Sequence, residues 1–259
     1  MHKFKLYNQF SQINFLDTGG SLKFQFKIAD WYAVSPGLCS KESWHLWAES
    51  GQRPETTEIS YDLPSNMLRR MSLVSKLAVQ TALKLASKHE SAFVVFASRH
   101  GELQRTYKLL NEILAGEGAS PIAFSQSVHN TASGLFTIAS GLKVPVSSLS
   151  AGHDTFQQGL VEAVVRLNEM REDQKLLFVC FDDIVPDIYR SYVPKGPFPY
   201  ALGLVLEQGK ECIIRSIERS EGWFEEMPQA LTFLKNITTN NKTFKIPGET
   251  CDWLWTYSD

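Results

Sequence analysis

Residues 127–163 read SVHNTASGLFTIASGLKVPVSSLSAGHDTFQQGLVEA. Small residues over Asn130–Ser140 predict a closely packed helix, and the apolar run Val144–Leu149 predicts a buried strand. The turn Ser150-Ala151-Gly152-His153 then leads into a helix predicted for Thr155–Met170. This layout is that of a nucleophile elbow, which presents one side chain above the sheet while the next helix points its amides and positive dipole end at the same place.

Strands and helices alternate on both sides of this stretch. Phe24–Val34 is rich in aromatic and β-branched residues and stops at Ser35-Pro36-Gly37, as a strand entering a turn does. The other predicted elements are a capped helix after Ser40, an amphipathic helix over Asn66–Ala86, a strand over Ala92–Ala97, a helix ending near Leu114, and strands over Leu176–Phe181 and Ala201–Leu206. Strands separated by helices predict a layered α/β fold.

The chain has no repeat, low-complexity tract or long linker that would divide it. We therefore predict one main domain over residues 1–209, followed by a different segment over residues 210–259. That segment has a helix-like part, MPQALTFLKN, and a strand-like part, DWLWTYS. Its many aromatic residues indicate that it covers sheet surface, because an uncovered apolar edge or face is an aggregation hazard.

Composition and charge argue against several classes of partner. The formal net charge of -2 gives no long-range field for nucleic acid or an anionic membrane. The four cysteines are far apart and form no metal-binding pattern, as expected of reduced thiols. The N-terminus lacks the apolar stretch of a signal peptide, and no segment has the length of apolar sequence that spans a bilayer, so we expect a cytoplasmic protein.

Several motifs in the chain resemble the N-terminal half of the β-ketoacyl synthases, which have the thiolase fold. The matching segments are Asn130-x-Ala132-x-Gly134, Gly141-Leu142-Lys143-x-Pro145, the elbow that follows, the turn Ala33-Val34-Ser35-Pro36-Gly37, the strand Phe178–Asp183 and the strand Ala201–Glu207. The resemblance implies a thiolase-like α-β-α layered fold of half length. It comprises an N-terminal βαβαβ unit with a mixed sheet, to which the C-terminal covering tail is added.

Two departures from the family bear on function. His153 occupies the position at which the resemblance implies a catalytic cysteine, and an imidazole does not hold a stable acyl thioester. The two condensing histidines of the family belong to a C-terminal half, which is expected to begin about where the sequence reaches Asp259. We therefore expect no catalytic residue, no metal and no cofactor in this chain.

Within the family, the resemblance is to a chain length factor of aryl polyene biosynthesis. Such a subunit forms a heterodimer with an active ketosynthase, helps to shape the acyl tunnel, and meets the acyl carrier protein through the complex. The strand Val144–Ser150, with Val144, Val146 and Ser148, is then expected at the dimer centre. The predicted tunnel and interface residues are Phe124 at the tunnel end, its neighbours Ser125, Gln126, Ser127 and Asn130, and the helix residues Thr106, Tyr107 and Leu110.

Alternative roles remain open for some of these residues. Ser150 with His153 could serve a stand-alone acyl-thioester hydrolase or acyltransferase, although a triad needs side chains that converge from separate elements. His129 is either a catalytic partner of Asn130 or a residue that packs at a subunit interface, with Asn130 capping the helix. Arg99 and His100 either bind a phosphate or belong to a solvated loop.

Overall fold

The computed structural model describes residues 21–53, 59–193, 198–220 and 227–258. Its strands are β1 Lys23–Val34, β2 Phe93–Ala97, β3 Val146–Leu149, β4 Leu176–Asp182, β5 Tyr200–Ile217, β6 Thr243–Ile246 and β7 Asp252–Tyr257. Its helices are α1 Lys41–Ser50, α2 Ser65–Leu68, α3 Leu73–Ala86, α4 Leu103–Leu114, α5 Pro121–Ser125, α6 Thr131–Ser140, α7 Thr155–Glu169 and α8 Gln229–Thr238. Short 3-10 turns span Gly152–Asp154 and Asp187–Tyr192.

Within these described ranges, seven strands form one mixed sheet. Strand β2 lies between β3 and β4 and is parallel to both. The long strand β5 is antiparallel to its neighbours: its first part pairs with β4, its last part pairs with β7, and β1 follows its other edge. The predicted α/β fold with a mixed sheet is therefore confirmed, and β3 is left as an edge strand.

Helices cover both faces of the sheet, and the alternation of side chains along β4 gives each face its core. Leu177, Val179 and Phe181 belong to the core under α3 and α6. Leu176 and Phe178 belong to the opposite core, which contains α7 and α8. Because successive side chains of a strand point to opposite faces, a strand buried on both faces reads as a continuous apolar run.

The helix predicted over Asn66–Ala86 is divided in the structure. α2 ends at Leu68, and α3 begins at Leu73 after the N-cap residue Ser72. The Ser72 hydroxyl oxygen accepts the Ser75 amide at 3.1 Å. Capping of this kind satisfies an amide that has no partner within the helix, and it sets the helix start at a position that apolar periodicity does not reveal.

The boundary expected after residue 209 falls inside β5, which continues without a break to Ile217. The segment after it contributes α8 and the antiparallel strands β6 and β7, of which β6 was not anticipated. β7 pairs with the last part of β5 and so extends the same sheet. Two aromatic residues of this segment, Trp223 and Phe224, lie outside the described residues.

The C-terminal segment covers α7 with an aromatic cluster. Trp255 of β7 is fully buried, and its ring centroid lies 6.2 Å from that of Phe156 on α7 and 4.8 Å from that of Phe233 on α8. Phe244 of β6 stacks on Trp255 with 5.7 Å between centroids. Buried aromatic rings of this size dominate the packing energy of a core, so the segment is part of the folded unit.

We expect Trp255→Ala to lower the free energy of unfolding by about 3–5 kcal/mol, because it removes the centre of this cluster and leaves a cavity. The matched control is Thr256→Ala, which changes an exposed neighbour on the same strand. Urea unfolding of both variants measures the difference. Equal stability of the two variants would show that the segment contributes little to the fold.

Candidate functional site

The elbow has the geometry expected from the sequence. β3 ends at Leu149, the 3-10 turn follows, and α7 begins at Thr155. Gly152 has φ +58°, a left-handed conformation that a side chain would strain. The Thr155 hydroxyl closes the turn, since it donates to the Gly152 carbonyl at 2.7 Å and accepts the Ala151 amide at 3.0 Å. The backbone therefore holds residue 153 at the start of α7.

His153 stands at this position with most of its side chain buried. Its Nδ1 lies 3.8 Å from Oδ1 of Asp154. The Asp154 carboxylate accepts hydrogen bonds from Gln229 Nε2 at 2.7 Å and from the Glu249 amide at 3.0 Å. The elbow is thus connected to the C-terminal segment by a buried carboxylate as well as by aromatic packing.

Ser150 does not form a catalytic pair with His153 in the described part of the chain. Ser150 is exposed, and its hydroxyl donates to the carbonyl oxygen of Arg99 at 3.1 Å. Its proton is therefore directed at a backbone acceptor, whereas an activated serine needs a base within hydrogen-bonding reach.

The carboxylate of Asp182 organises the loop that follows β2. Its oxygens accept the Ser98 hydroxyl at 2.9 Å and the amides of Arg99 and His100 at 3.0 and 2.8 Å. Burial raises the pKa of Asp182 to about 6, although these three donors act in the opposite direction. Sequence reasoning missed this residue, and the only signal for it is an acidic residue at the end of the apolar strand LLFVCFD.

Two further groups near Asp182 have perturbed pKa values. Burial and the neighbouring Arg99 lower the pKa of His100 to about 4, so its imidazole is neutral near pH 7. Burial raises the pKa of the Cys180 thiol well above its usual range, and the nearby Asp182 carboxylate adds to this effect. A thiol held protonated in this way is a poor nucleophile.

A cavity of about 600 Å³ opens beside the elbow. His153 and Phe156 line it from the elbow and α7, and Arg99, His100 and Asp182 line it from the loop after β2 and the end of β4. The rest of its wall comes from parts of the segments 183–193 and 227–230 and from Gly152, Thr155, Cys180 and Tyr200. The described residues contain no group of three or more His, Cys, Asp or Glu side chains that could hold a metal ion.

The predicted tunnel residues do not line this cavity, and they belong to a part of the chain that leaves apolar side chains exposed. Among the described residues, eight of the twelve exposed large hydrophobic side chains fall between residues 110 and 142. They are Leu110, Ile113, Leu114, Ile122, Phe124, Val128, Ile138 and Leu142. We call these eight residues, together with the edge strand β3, the α4–α6 face.

Phe124 and Leu110 are 62% and 48% exposed, whereas Thr106 and Tyr107 are half-buried. The Thr106 hydroxyl lies 3.1 Å from the Ser127 carbonyl and so connects α4 to the segment after α5. Ser125 is exposed, and Gln126 and Ser127 are partly buried. The contact between Thr106 and Ser127 joins α4 to the segment 124–127, and the tunnel role of these residues stays a prediction.

The edge strand differs in detail from the predicted one. It begins at Val146, so Val144 lies before it, and both residues are half-buried. The Ser148 hydroxyl donates to Ser133 of α6 at 3.0 Å, which directs this side chain towards α6. Every residue of β3 is half-buried, whereas every residue of β4 is buried.

Neither His129 nor Asn130 forms the catalytic pair considered above. His129 Nε2 bonds to the Ser98 carbonyl at 2.8 Å, which makes it a packing residue of the loop after β2. Asn130 occupies the N-cap position of α6 and is exposed, but its side chain makes no capping hydrogen bond. The expectation that the Asn130 side chain caps the helix is therefore wrong.

Comparison with known proteins places this arrangement in a family. The family model for the β-ketoacyl synthase N-terminal domain matches residues 44–256. The chain belongs to this family. None of the curated proteins gives a significant match.

Solved structures of ketosynthase complexes are similar to the chain. A ketosynthase in complex with its chain length factor from Xenorhabdus doucetiae matches with 35% sequence identity and a TM-score of 0.82. This match covers 90% of our chain and 99% of the solved one, so the two are of nearly equal length.

Two more distant matches support the fold alone. The ishigamide ketosynthase/chain length factor is 14% identical to our chain, with a TM-score of 0.58. The match covers 75% of our chain and 68% of the solved one. A type II PKS acyl-carrier protein in complex with its ketosynthase is 11% identical, with a TM-score of 0.66 and coverage of 91% and 100%.

None of the helices in the described part of the chain is long and apolar enough to cross a bilayer.

The pKa of Asp182 leads to a prediction about pH. Because the folded-state pKa is raised from 3.8 to about 6, the native state holds this proton more tightly than the unfolded chain does. The stability that this group contributes is therefore greatest below about pH 4 and is lost as the pH rises through about 6. We expect Asp182→Asn to destabilise the fold more at pH 4.5 than at pH 7.5, by on the order of 2–3 kcal/mol.

Chemical denaturation at the two pH values measures this difference. Asp173→Asn is the matched control, since the Asp173 side chain is 75% exposed and pairs with Arg171 at the surface. If the loss of stability in Asp182→Asn is the same at both pH values, the carboxyl does not titrate as the structure indicates.

Proposed function

We propose that this chain is a non-catalytic subunit that pairs with an active β-ketoacyl synthase and helps to shape its acyl tunnel. The observation that carries the proposal is the α4–α6 face, an exposed apolar surface bordered by an edge strand on a chain with histidine at the nucleophile position. The similarity to a chain from a complex of a ketosynthase with its chain length factor supports the same reading.

The α4–α6 face has the character of a subunit interface. Ile138 is 74% exposed and Leu114 is 84% exposed, although exposure of an apolar side chain to water is unfavourable in free energy. Where exposed apolar side chains form a patch, that patch marks an interaction site in soluble proteins. The edge strand β3 adds unpaired backbone groups, which a partner strand can satisfy. A partner that covers both features would bury a large and apolar area, as permanent complexes do.

The proposed chemistry is divided between the two subunits. The partner supplies the cysteine that carries the acyl chain and the histidines of condensation, and the acyl carrier protein meets the complex through that partner. Our chain supplies part of the wall of the acyl tunnel. The resemblance in the sequence makes aryl polyene biosynthesis the proposed pathway.

A stand-alone hydrolase or acyltransferase is less favoured by the geometry. The Ser150 hydroxyl donates to a backbone carbonyl, and the Cys180 thiol, although it borders the cavity, has a raised pKa. No observation in the described residues favours this second function.

We expect Ile138→Asp to weaken the complex with the partner ketosynthase by at least about tenfold, because it buries an unpaired carboxylate at the interface. The matched control is Leu46→Asp, which places the same charge at a 63% exposed position on α1, outside the α4–α6 face. Co-purification and titration of the two purified subunits measure the affinity. Circular dichroism checks that both variants fold. Equal binding by the two variants would contradict the proposed interface.

We expect Phe124→Ala to lengthen the products of the reconstituted pair or to broaden their distribution, because it removes a large side chain from the proposed end of the tunnel. Mass spectrometry of the carrier-bound products measures the change. Leu46→Ala is the control for a lost exposed apolar side chain. An unchanged product distribution in a pair that still assembles would remove Phe124 from the tunnel while leaving the interface intact.

A further inference from the structure

Although helices lie on both faces of the sheet, α3 and α6 leave the far end of their face uncovered. The core of the opposite face contains one residue from each of the strands β1, β5, β7 and β6, namely Phe24, Ile214, Trp255 and Phe244. Because successive side chains of a strand point to opposite faces, their neighbours point towards the side of α3 and α6. These neighbours are exposed or half-buried, and none belongs to the core under α3 and α6: Lys23, Gln25, Ile213, Arg215, Thr243, Lys245, Leu254 and Thr256. We call these eight residues the open sheet face.

Two cations stand side by side on the open sheet face. Lys23 of β1 is the cross-strand partner of Arg215 of β5. Directly opposite residues of an antiparallel pair have Cβ atoms about 4.5–5.5 Å apart, and like charges at this spacing are destabilising. Neither side chain forms an ion pair with a carboxylate of the described residues, since the carboxylates nearby pair with other cations. The fold therefore keeps an unfavourable pair of charges at its surface, and an anionic partner would relieve it.

The carboxylates around the open sheet face are already engaged within the chain. Asp252 of β7 pairs with Lys245 at 3.1 Å, and Glu207 of β5 pairs with Lys27 at 3.1 Å. The Glu211 carboxylate accepts the backbone amide of the preceding residue at 2.8 Å. The two cations of the cross-strand pair thus remain available to a group from outside the chain.

The shape of the open sheet face suits a macromolecule better than a small molecule. Small-molecule sites are concave and bury most of the ligand, whereas this face is an outer sheet surface, and none of its residues lines the cavity beside the elbow. Its four neighbouring strands give it a width of roughly 14 Å. A helix with its side chains is about 10–12 Å across, so one helix can lie on this surface.

We propose that the open sheet face docks an acidic amphipathic helix of a partner protein. Carboxylates of the helix bind Lys23 and Arg215. Its apolar side chains cover Leu254, which lies opposite Arg215 on β7, and Ile213, which lies two residues further along β5. Charge-assisted hydrogen bonds between arginine and carboxylate are the strongest contacts of this arrangement.

An acidic protein fits this surface better than a nucleic acid or an anionic membrane. Two available cations are few for a phosphate backbone, whose binding depends on neutralising many charges, and the net charge of -2 adds no attraction. The half-buried Ile213 and Leu254 beside the pair also favour a partner with apolar side chains. In the strand order, β6 lies at the opposite edge from β3, so this docking goes beyond the proposed function and is separate from the ketosynthase interface.

The test is a titration of a fluorescently labelled synthetic peptide with the purified full chain, followed by fluorescence anisotropy. The peptide has about 20 residues of glutamate, leucine and alanine, with glutamates and leucines on adjoining faces of a helix of about 30 Å. A peptide with glutamine in place of glutamate is the control for charge, and one with central prolines is the control for the helix. We expect saturable binding of the acidic peptide, at least about tenfold weaker binding of both control peptides, and loss of affinity at high salt.

Two charge reversals locate the site, and each has a matched control. Lys23→Glu and Arg215→Glu each turn the cross-strand pair into a pair of opposite charges, so we expect the melting temperature to stay unchanged or to rise. We expect the affinity for the acidic peptide to fall at least about tenfold in both variants, because a carboxylate then faces a carboxylate. Lys84→Glu and Arg69→Glu reverse exposed cations outside the open sheet face, and we expect them to leave the affinity unchanged.

Five results would overturn the proposal. They are the absence of saturable binding by the acidic peptide, equal binding of either control peptide, unchanged affinity in both charge reversals, a lowered melting temperature in both of them, and tighter binding of duplex DNA or of phosphatidylserine vesicles than of the peptide. Each of these can occur while Ile138→Asp still disrupts the complex with the ketosynthase, so failure of this proposal is distinguishable from failure of the proposed function.

Discussion

The packing of Trp255 against Phe156 and Phe233 is the contact on which the arrangement of the elbow depends. It covers the apolar side of α7, and without such cover that side would be exposed to water at a cost that grows with its area. The same segment supplies the donors for the buried Asp154 carboxylate at the start of α7. Two connections thus fix the position of His153. Strand β3 ties the elbow to the sheet, and the hydrogen bonds of Asp154 tie it to the C-terminal segment.

The opposite situation holds along α4 and α5. These helices have few buried side chains, since Leu109 is the one buried residue of α4 and α5 has none, whereas α6 buries Phe136 in the core. A helix without a buried apolar stripe gains little stability from its own chain. Apolar side chains of α4 and α5 are therefore left exposed, and the proposed partner would cover them. Helices of the chain itself lie on both faces of the sheet, whereas the edge strand β3 has no second neighbour in the described part of the chain.

The loop after β2 links these two regions. Its Ser98 hydroxyl and two of its amides converge on Asp182, its Ser98 carbonyl accepts from His129, and its Arg99 carbonyl accepts from Ser150. Disturbing a buried carboxylate that accepts three hydrogen bonds is costly, because each group left without its partner would remain buried and could not bond to water instead. The elbow, the segment before α6 and the cavity wall consequently share one network, although the cavity and the α4–α6 face have no lining residue in common.

The sequence by itself determined the layered α/β class, the elbow at residues 150–153 and the absence of cysteine there, because apolar periodicity and small-residue turns are local properties. It did not reveal the capped start of α3 at Ser72 or the strand β6, since a single hydroxyl and a four-residue strand leave weak signals. The roles of Asp182, His100 and Gln229 were decided only by the tertiary structure. The partners described above are 75 to 84 residues away in the sequence, and burial, which sets the pKa of Asp182, is a property of the packed whole.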